Sequence, residues 1–208
     1  MCENTEEICV SPSDFRLKVS KMSHTLFCNA AVPGATSRDV LLHQVPLALI
    51  PAAAGGFDPK YITLTMGGND LLAILHFAAT HPDPADVYQY GLQVLGQFGQ
   101  NLGATLAQLR SGLPNATIFV SNQYTVPEIE AAVPLAGDLI AAFNGIVAQV
   151  VSQFPSQVYL VDVYQAFLRR NSVLLVERHG AGPFESHPTT LGHRVIAQTF
   201  AEVIKLHR

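Results

Sequence analysis

A run of β-branched and apolar residues, Tyr61-Ile62-Thr63-Leu64-Thr65-Met66, stops at a glycine pair and passes through Asn69-Asp70 into Leu71-Leu72. The run reads as a strand and the glycines as its end; Asn and Asp ahead of an apolar stretch read as a helix start. A strand that turns this tightly into a helix belongs to a parallel α/β sheet, whose ligands lie beyond the carboxyl ends of the strands. The Asn69 side-chain amide and the N–H groups of the helix start then face that crevice. Such donors stabilise an oxyanion. Taken alone, Gly68-Asn69-Asp70 is equally well a turn that caps a helix.

The rest of the chain repeats the alternation. Residues 26–31 form a short strand candidate ending at Pro33-Gly34, after which Ser37 and Arg38 open a helix through Leu49. Val87, Tyr90, Leu92, Leu95, Phe98, Leu102 and Leu106 recur at helical spacing over 86–109, and the strand 117–121 follows. A helix over 139–154 precedes a strand at 158–161, and a last helix runs from about Pro188 to Leu206. Residues 51–59 and 81–84 read as loops. Together the 208 residues describe a single α/β domain, 1–208, with a parallel sheet covered by helices on both faces.

Composition narrows the partners. Hydrophobic residues make up 49% and charged residues 13%, which suits a buried sheet, and a net charge of −4 leaves no basic stripe for nucleic acid. The longest apolar stretch, 40–54, is broken by His43, Gln44, Pro46 and Pro51 and is shorter than the ~20 residues a membrane span needs. The first ten residues are acidic and are not a signal peptide as written; they do not fix the compartment. Cys2, Cys9 and Cys28 lack metal-ligand spacing; a Cys9–Cys28 bridge and free thiols are both open. A metal site joining His179, His187 and His193 lacks close spacing and a carboxylate, so no metal or cofactor is implied.

Three segments, Asn29-Ala-Ala-Val-Pro-Gly-Ala-Thr-Ser37, Thr63 to Leu72 and His187-Pro-Thr-Thr-Leu-Gly-His193, resemble the blocks of the SGNH (GDSL-like) hydrolases and esterases. The resemblance implies a three-layer α/β/α sandwich. It implies hydrolysis of carboxylic esters through a serine acyl-enzyme, with Asn69 and the Gly34 N–H as oxyanion donors and His187 as general base. His193 is then a residue of the helix face. The small polar crevice residues and the lack of a recognisable lid point to short-chain esters.

Two departures accompany the resemblance. Phe184 occupies the place of the acid three positions before the base; Glu185 is the nearest substitute, and its alternative is a solvated loop residue. The family's first block, a strand ending in Gly-Asp-Ser with the nucleophile, has no counterpart before Cys9. The fold is therefore expected to lack its first strand, as in an N-terminally truncated frame, with residues 1–8 disordered or rearranged. Ser37 at a helix N-terminus is the first substitute nucleophile, against an alternative role as N-cap; Ser11, Ser13 and Ser186 are weaker. The gap also leads to the expectation of a homo-oligomer or strand exchange. The competing reading is a remnant of the fold that binds acyl or glycan ligands without turnover.

Overall fold

The computed structural model describes residues 5–8, 17–22, 25–53, 58–125, 130, 135–170, 175–176 and 187–207. Its centre is a parallel sheet of β4 (Tyr61–Leu64), β5 (Thr117–Ser121) and β6 (Val158–Val161), in that order. Register runs Ile62↔Ile118 and Leu64↔Val120 on one side of β5, and Ile118↔Val158 and Val120↔Leu160 on the other. The middle of the central strand, Ile118-Phe119-Val120, is apolar because both of its faces are covered.

Successive side chains of a strand point to opposite faces, and β5 uses this to join two cores. Ile118 and Val120 pack with Phe98, Leu102, Leu106, Phe143 and Val147. These come from α4 (Pro84–Gly112) and α5 (Ala136–Ser152), and Leu71 and Ile74 of α3 (Gly68–Thr80) join them. Phe119 points the other way, into Val161, Phe167, Val195 and Phe200. Those side chains belong to β6, α6 (Val163–Leu168) and α7 (Thr190–Leu206). The result is helix, sheet, helix, as expected from the alternation of elements.

The first strand candidate takes a different place. Thr25–Asn29 (β3) pairs antiparallel with Leu17–Met22 (β2), which pairs antiparallel with Thr5–Ile8 (β1), in a separate three-stranded sheet with Val19 opposite Cys28. Only two residues separate β2 from β3, enough for a hairpin and far too few for a parallel crossover. The expectation of a parallel strand here is thus corrected. Residues 5–8 are the outer strand of this sheet. Cys28 is a free thiol, half-buried, with burial pushing its pKa up; Cys2 and Cys9 lie outside the described residues.

Helix after β3 is longer than its sequence suggests. Following α1 (Ser37–Asp39), a π-helical turn over Val40–Gln44 leads without a break into α2 (Val45–Ala53), past both prolines. Pro46 has no N–H to donate, and the wider turn before it, in which the Val45 N–H reaches Val40 O, carries the chain across that defect. The long helix α4 starts at Asp83, whose carboxylate accepts from the Ala85 N–H, with Pro84 at its first position.

Candidate active site

β4 delivers the chain to Gly67, whose φ of 95° lies in the left-handed region. A Cβ at Gly67 would also stand 2.5 Å from the Phe98 and Phe143 rings. Glycine is required here on both counts. Helix α3 then begins at Gly68 with no side-chain cap on its first turn, leaving backbone donors at the mouth of the sheet.

Ahead of this, Val32-Pro33-Gly34-Ala35 closes a turn through Ala35 N–H to Val32 O at 3.3 Å, with Gly34 at φ 78°. Proline then positive-φ glycine is the pattern of a type II turn. Two consecutive residues of α3 reach back to the segment after that turn. Asn69 Nδ2 donates to Ala35 O at 2.8 Å. Asp70 accepts from Ser37 twice, from its N–H at 2.8 Å and from its hydroxyl at 2.6 Å.

This placement changes the reading of Ser37. It is wholly buried, its proton is given to Asp70, and its oxygen accepts from Asn101 Nδ2 of α4 at 2.9 Å. A nucleophile needs a base to take its proton and an open path to a carbonyl; Ser37 has a buried carboxylate and a closed core. Nor is it the N-cap. Thr36 is, in a capping box whose Asp39 carboxylate accepts from the Thr36 N–H and hydroxyl. Those bonds hold the Asp39 pKa below the usual carboxylate value.

Asn69 and Gly68 open onto a cleft of about 240 Å³ that His187 also lines. The apolar walls are Leu71, Leu72 and Leu75 of α3 and Ala136, Leu139 and Ile140 of α5. The floor is Gln123, Tyr124 and Thr125, the residues that follow β5. Two of the expected residues, Asn69 and His187, therefore share one cavity. Gly34 and Ser37 are not among the described residues that line it; their segment is tied to α3 through Asn69 and Asp70. Phe184, Glu185 and Ser186 lie outside the described residues, as do Ser11 and Ser13.

His187 is exposed, and the chain beyond it is well anchored. Val176 and Pro188 form an antiparallel bridge, and the Thr189 N–H donates to Leu175 O at 2.9 Å. The Thr189 hydroxyl caps α7 by accepting from the Gly192 N–H. A Cβ on Gly192 would meet Leu175 O at 2.1 Å, so close approach of α7 to this buried pair depends on glycine. His193, four residues after Thr189, is on the exposed face of α7.

The floor was not evident from motifs. Asn144 of α5 grips Gln123 at both ends of its peptide groups, accepting from the N–H at 2.8 Å and donating to the carbonyl at 2.9 Å. Asn122 accepts from the Tyr164 N–H and donates to Asp162, the N-cap of α6. Tyr124 stacks on Phe167 at 4.2 Å, and burial raises its phenol pKa well above the ordinary value. The only signal in the sequence is a polar run, Ser121 to Thr125, directly after an apolar central strand. Among the described residues no three His, Cys, Asp or Glu side chains converge as a metal site.

Residues 16–195 match the model of the GDSL-like Lipase/Acylhydrolase family. The chain belongs to this family. Several solved SGNH-type structures share its fold at low identity. A lipase, Lip_vut3, from a goat rumen metagenome superposes with a TM-score of 0.61 at 19% identity, over 80% of this chain and 73% of that one. Axe2, an acetylxylan esterase from Geobacillus stearothermophilus, gives 0.56 at 19%, over 84% and 70%. A Clostridium thermocellum family 3 carbohydrate esterase gives 0.51 at 17%, over 81% of this chain, which spans 64% of that esterase's length. No curated protein matches the sequence. The likeness in fold thus extends from lipases to carbohydrate esterases, and the cleft's own residues must distinguish among them.

Proposed function

We propose that this GDSL-like hydrolase cleaves carboxylic esters in the cleft between α3 and α5, through a serine acyl-enzyme. Asn69 and the Gly34 N–H serve as donors to the carbonyl oxygen, and His187 serves as general base. The hydroxyl adds to the ester carbon while His187 takes its proton; the imidazolium returns that proton to the departing alcohol, and water then releases the acid by the same route. The observation that carries this reading is that Asn69 and His187 line one cavity, with apolar walls on one side and polar groups at the sheet end. The walls suit an acyl chain. Glu185 is the residue proposed to orient the imidazole. Ser37 is not proposed as nucleophile, since its hydroxyl already serves Asp70.

One observation favours the second reading, a ligand-binding fold without turnover: among the described residues, none that lines the cleft is a serine. Labelling with a serine-reactive fluorophosphonate, mapped by mass spectrometry beside p-nitrophenyl ester turnover, separates the two. A stoichiometric adduct on one serine, lost with turnover in His187→Ala, establishes the esterase and names its nucleophile. No adduct and no turnover leaves the binding fold. We also propose self-association through β4, which pairs on one side only among the described residues.

A further inference from the structure

We propose that Asp70 is a positioning residue for the oxyanion donors, acting through Asn69 and the turn behind it; this rests on the ester-hydrolase reading above. Asp70 is buried, yet among the described residues its carboxylate is met by hydrogen-bond donors rather than a cation. Ser37 supplies both, N–H to one oxygen at 2.8 Å and hydroxyl to the other at 2.6 Å. Behind Ser37 the donors continue in one direction: Asn101 Nδ2 gives to the Ser37 oxygen at 2.9 Å, and Gln97 Nε2 gives to Asn101 Oδ1 at 3.0 Å. A relay of aligned donors that ends on a carboxylate is stronger than its separate bonds.

Its placement gives it a function. Asp70 follows Asn69 on the first turn of α3, and the two side chains hold Ala35 and Ser37, on either side of Thr36 and just after Gly34. A primary amide has two N–H groups. Committing one to Ala35 O fixes the plane of the Asn69 amide and reserves the second for the cleft that Asn69 lines. The bond to Ala35 survives only while the segment 35–37 stays against α3, and Asp70 is what keeps it there. The two proposed oxyanion donors are thereby tied to one rigid corner, the preorganisation that an oxyanion site depends on.

The test compares Asp70→Asn, Ser37→Ala, Asn69→Ala and the double variant N69A/D70N in the full chain, with p-nitrophenyl butyrate. Removal of an oxyanion donor lowers kcat by about 100-fold, and that is expected for N69A. D70N should lower kcat by about 10-fold or more with KM within about twofold, and add less than about threefold to N69A, since it acts through the same amide. S37A, which leaves one of the two bonds, should give a smaller loss. Arg110→Ala, which frees the Ala116 and Pro114 carbonyls far from the cleft, should lower Tm without moving kcat. Effects of D70N on Tm alone, or full additivity with N69A, would overturn the proposal. If the native chain turns nothing over, the hydrolase reading fails separately, and the Asn69 side-chain amide is read by NMR. One exchange-protected proton, lost in D70N, supports the positioning role; its persistence refutes it.

Discussion

A single methyl group tests how His187 is held. In Gly192→Ala the new Cβ would lie 2.1 Å from the Leu175 carbonyl oxygen, a backbone atom that cannot swing aside. Either α7 or the Leu175–Val176 pair must move, and overpacking of this kind costs about 1–3 kcal/mol. Because the same pair bridges Pro188, the shift passes directly to His187. Urea denaturation of G192A should show that loss, and ester turnover should fall further than stability alone explains, whereas Gly96→Ala, with open space at its Cβ, should do neither. At this scale the placement of Asn69 at a helix start and of His187 ahead of one was legible, because each stands in a short motif that carries its own context; their roles in the reaction are the proposal made above. Ser37 was not: its decisive partner, Asp70, is 33 positions away, and no local pattern distinguishes a serine that points to solvent from one that points to a buried carboxylate.

Among the elements, β5 and β6 emerge at the bounds expected, Thr117–Ser121 and Val158–Val161, because uninterrupted apolar stretches between turn residues permit little else. The strand at 25–29 was equally visible, yet its direction was not, since side-chain alternation is the same in parallel and antiparallel pairs. What decided it was the strand just before it, β2, only two residues away. Helix 37–53 outran its expected end because a π-helical turn absorbed a proline that normally stops a helix. The walls of the cleft make a prediction for α3 and α5. Both walls of the cleft are aliphatic, Leu71, Leu72 and Leu75 on one side and Leu139 and Ile140 on the other. Buried methylenes are worth about 0.8 kcal/mol each, so kcat/KM should rise from acetyl toward hexanoyl p-nitrophenyl esters and then level off. Leu75→Trp or Ile140→Trp, which fill the wall, should move the optimum back to acetyl. The short-chain preference expected from the sequence would instead appear as a flat or falling series in the native protein.

For the molecule as a whole, the three layers followed from alternating elements, and the match over residues 16–195 agrees with them. The extra antiparallel sheet did not follow, because it depends on pairing among residues 5–29, which the strand-helix alternation of the rest of the chain does not prescribe. The sheet order leaves one face of the assembly to be tested. β4 is half-buried and pairs with β5 alone among the described residues; a strand edge of this kind is a template for another strand. Light scattering across a dilution series should therefore report a dimer or larger species, and Thr63→Pro should yield monomers: the Lys60 carbonyl faces Thr117, so alternation turns the Thr63 N–H to the open edge, and proline removes that donor. A monomer at all concentrations would end that proposal.

The fastening of the residues after β5 has its own consequence. Gln123 is bound through its main chain to Asn144, and Asn122 is bound to the start of α6, so the base of the cleft is stitched to helices on both sides of the sheet. The facing leucines of α3 and the aliphatic wall of α5 carry no such stitching; they are held by packing alone. The cleft thus has a stiff polar end and an adaptable apolar wall. Amide exchange should be slowest at Asn122 and Gln123, and variation in the wall residues can retune which acyl groups are admitted while the polar end keeps its shape.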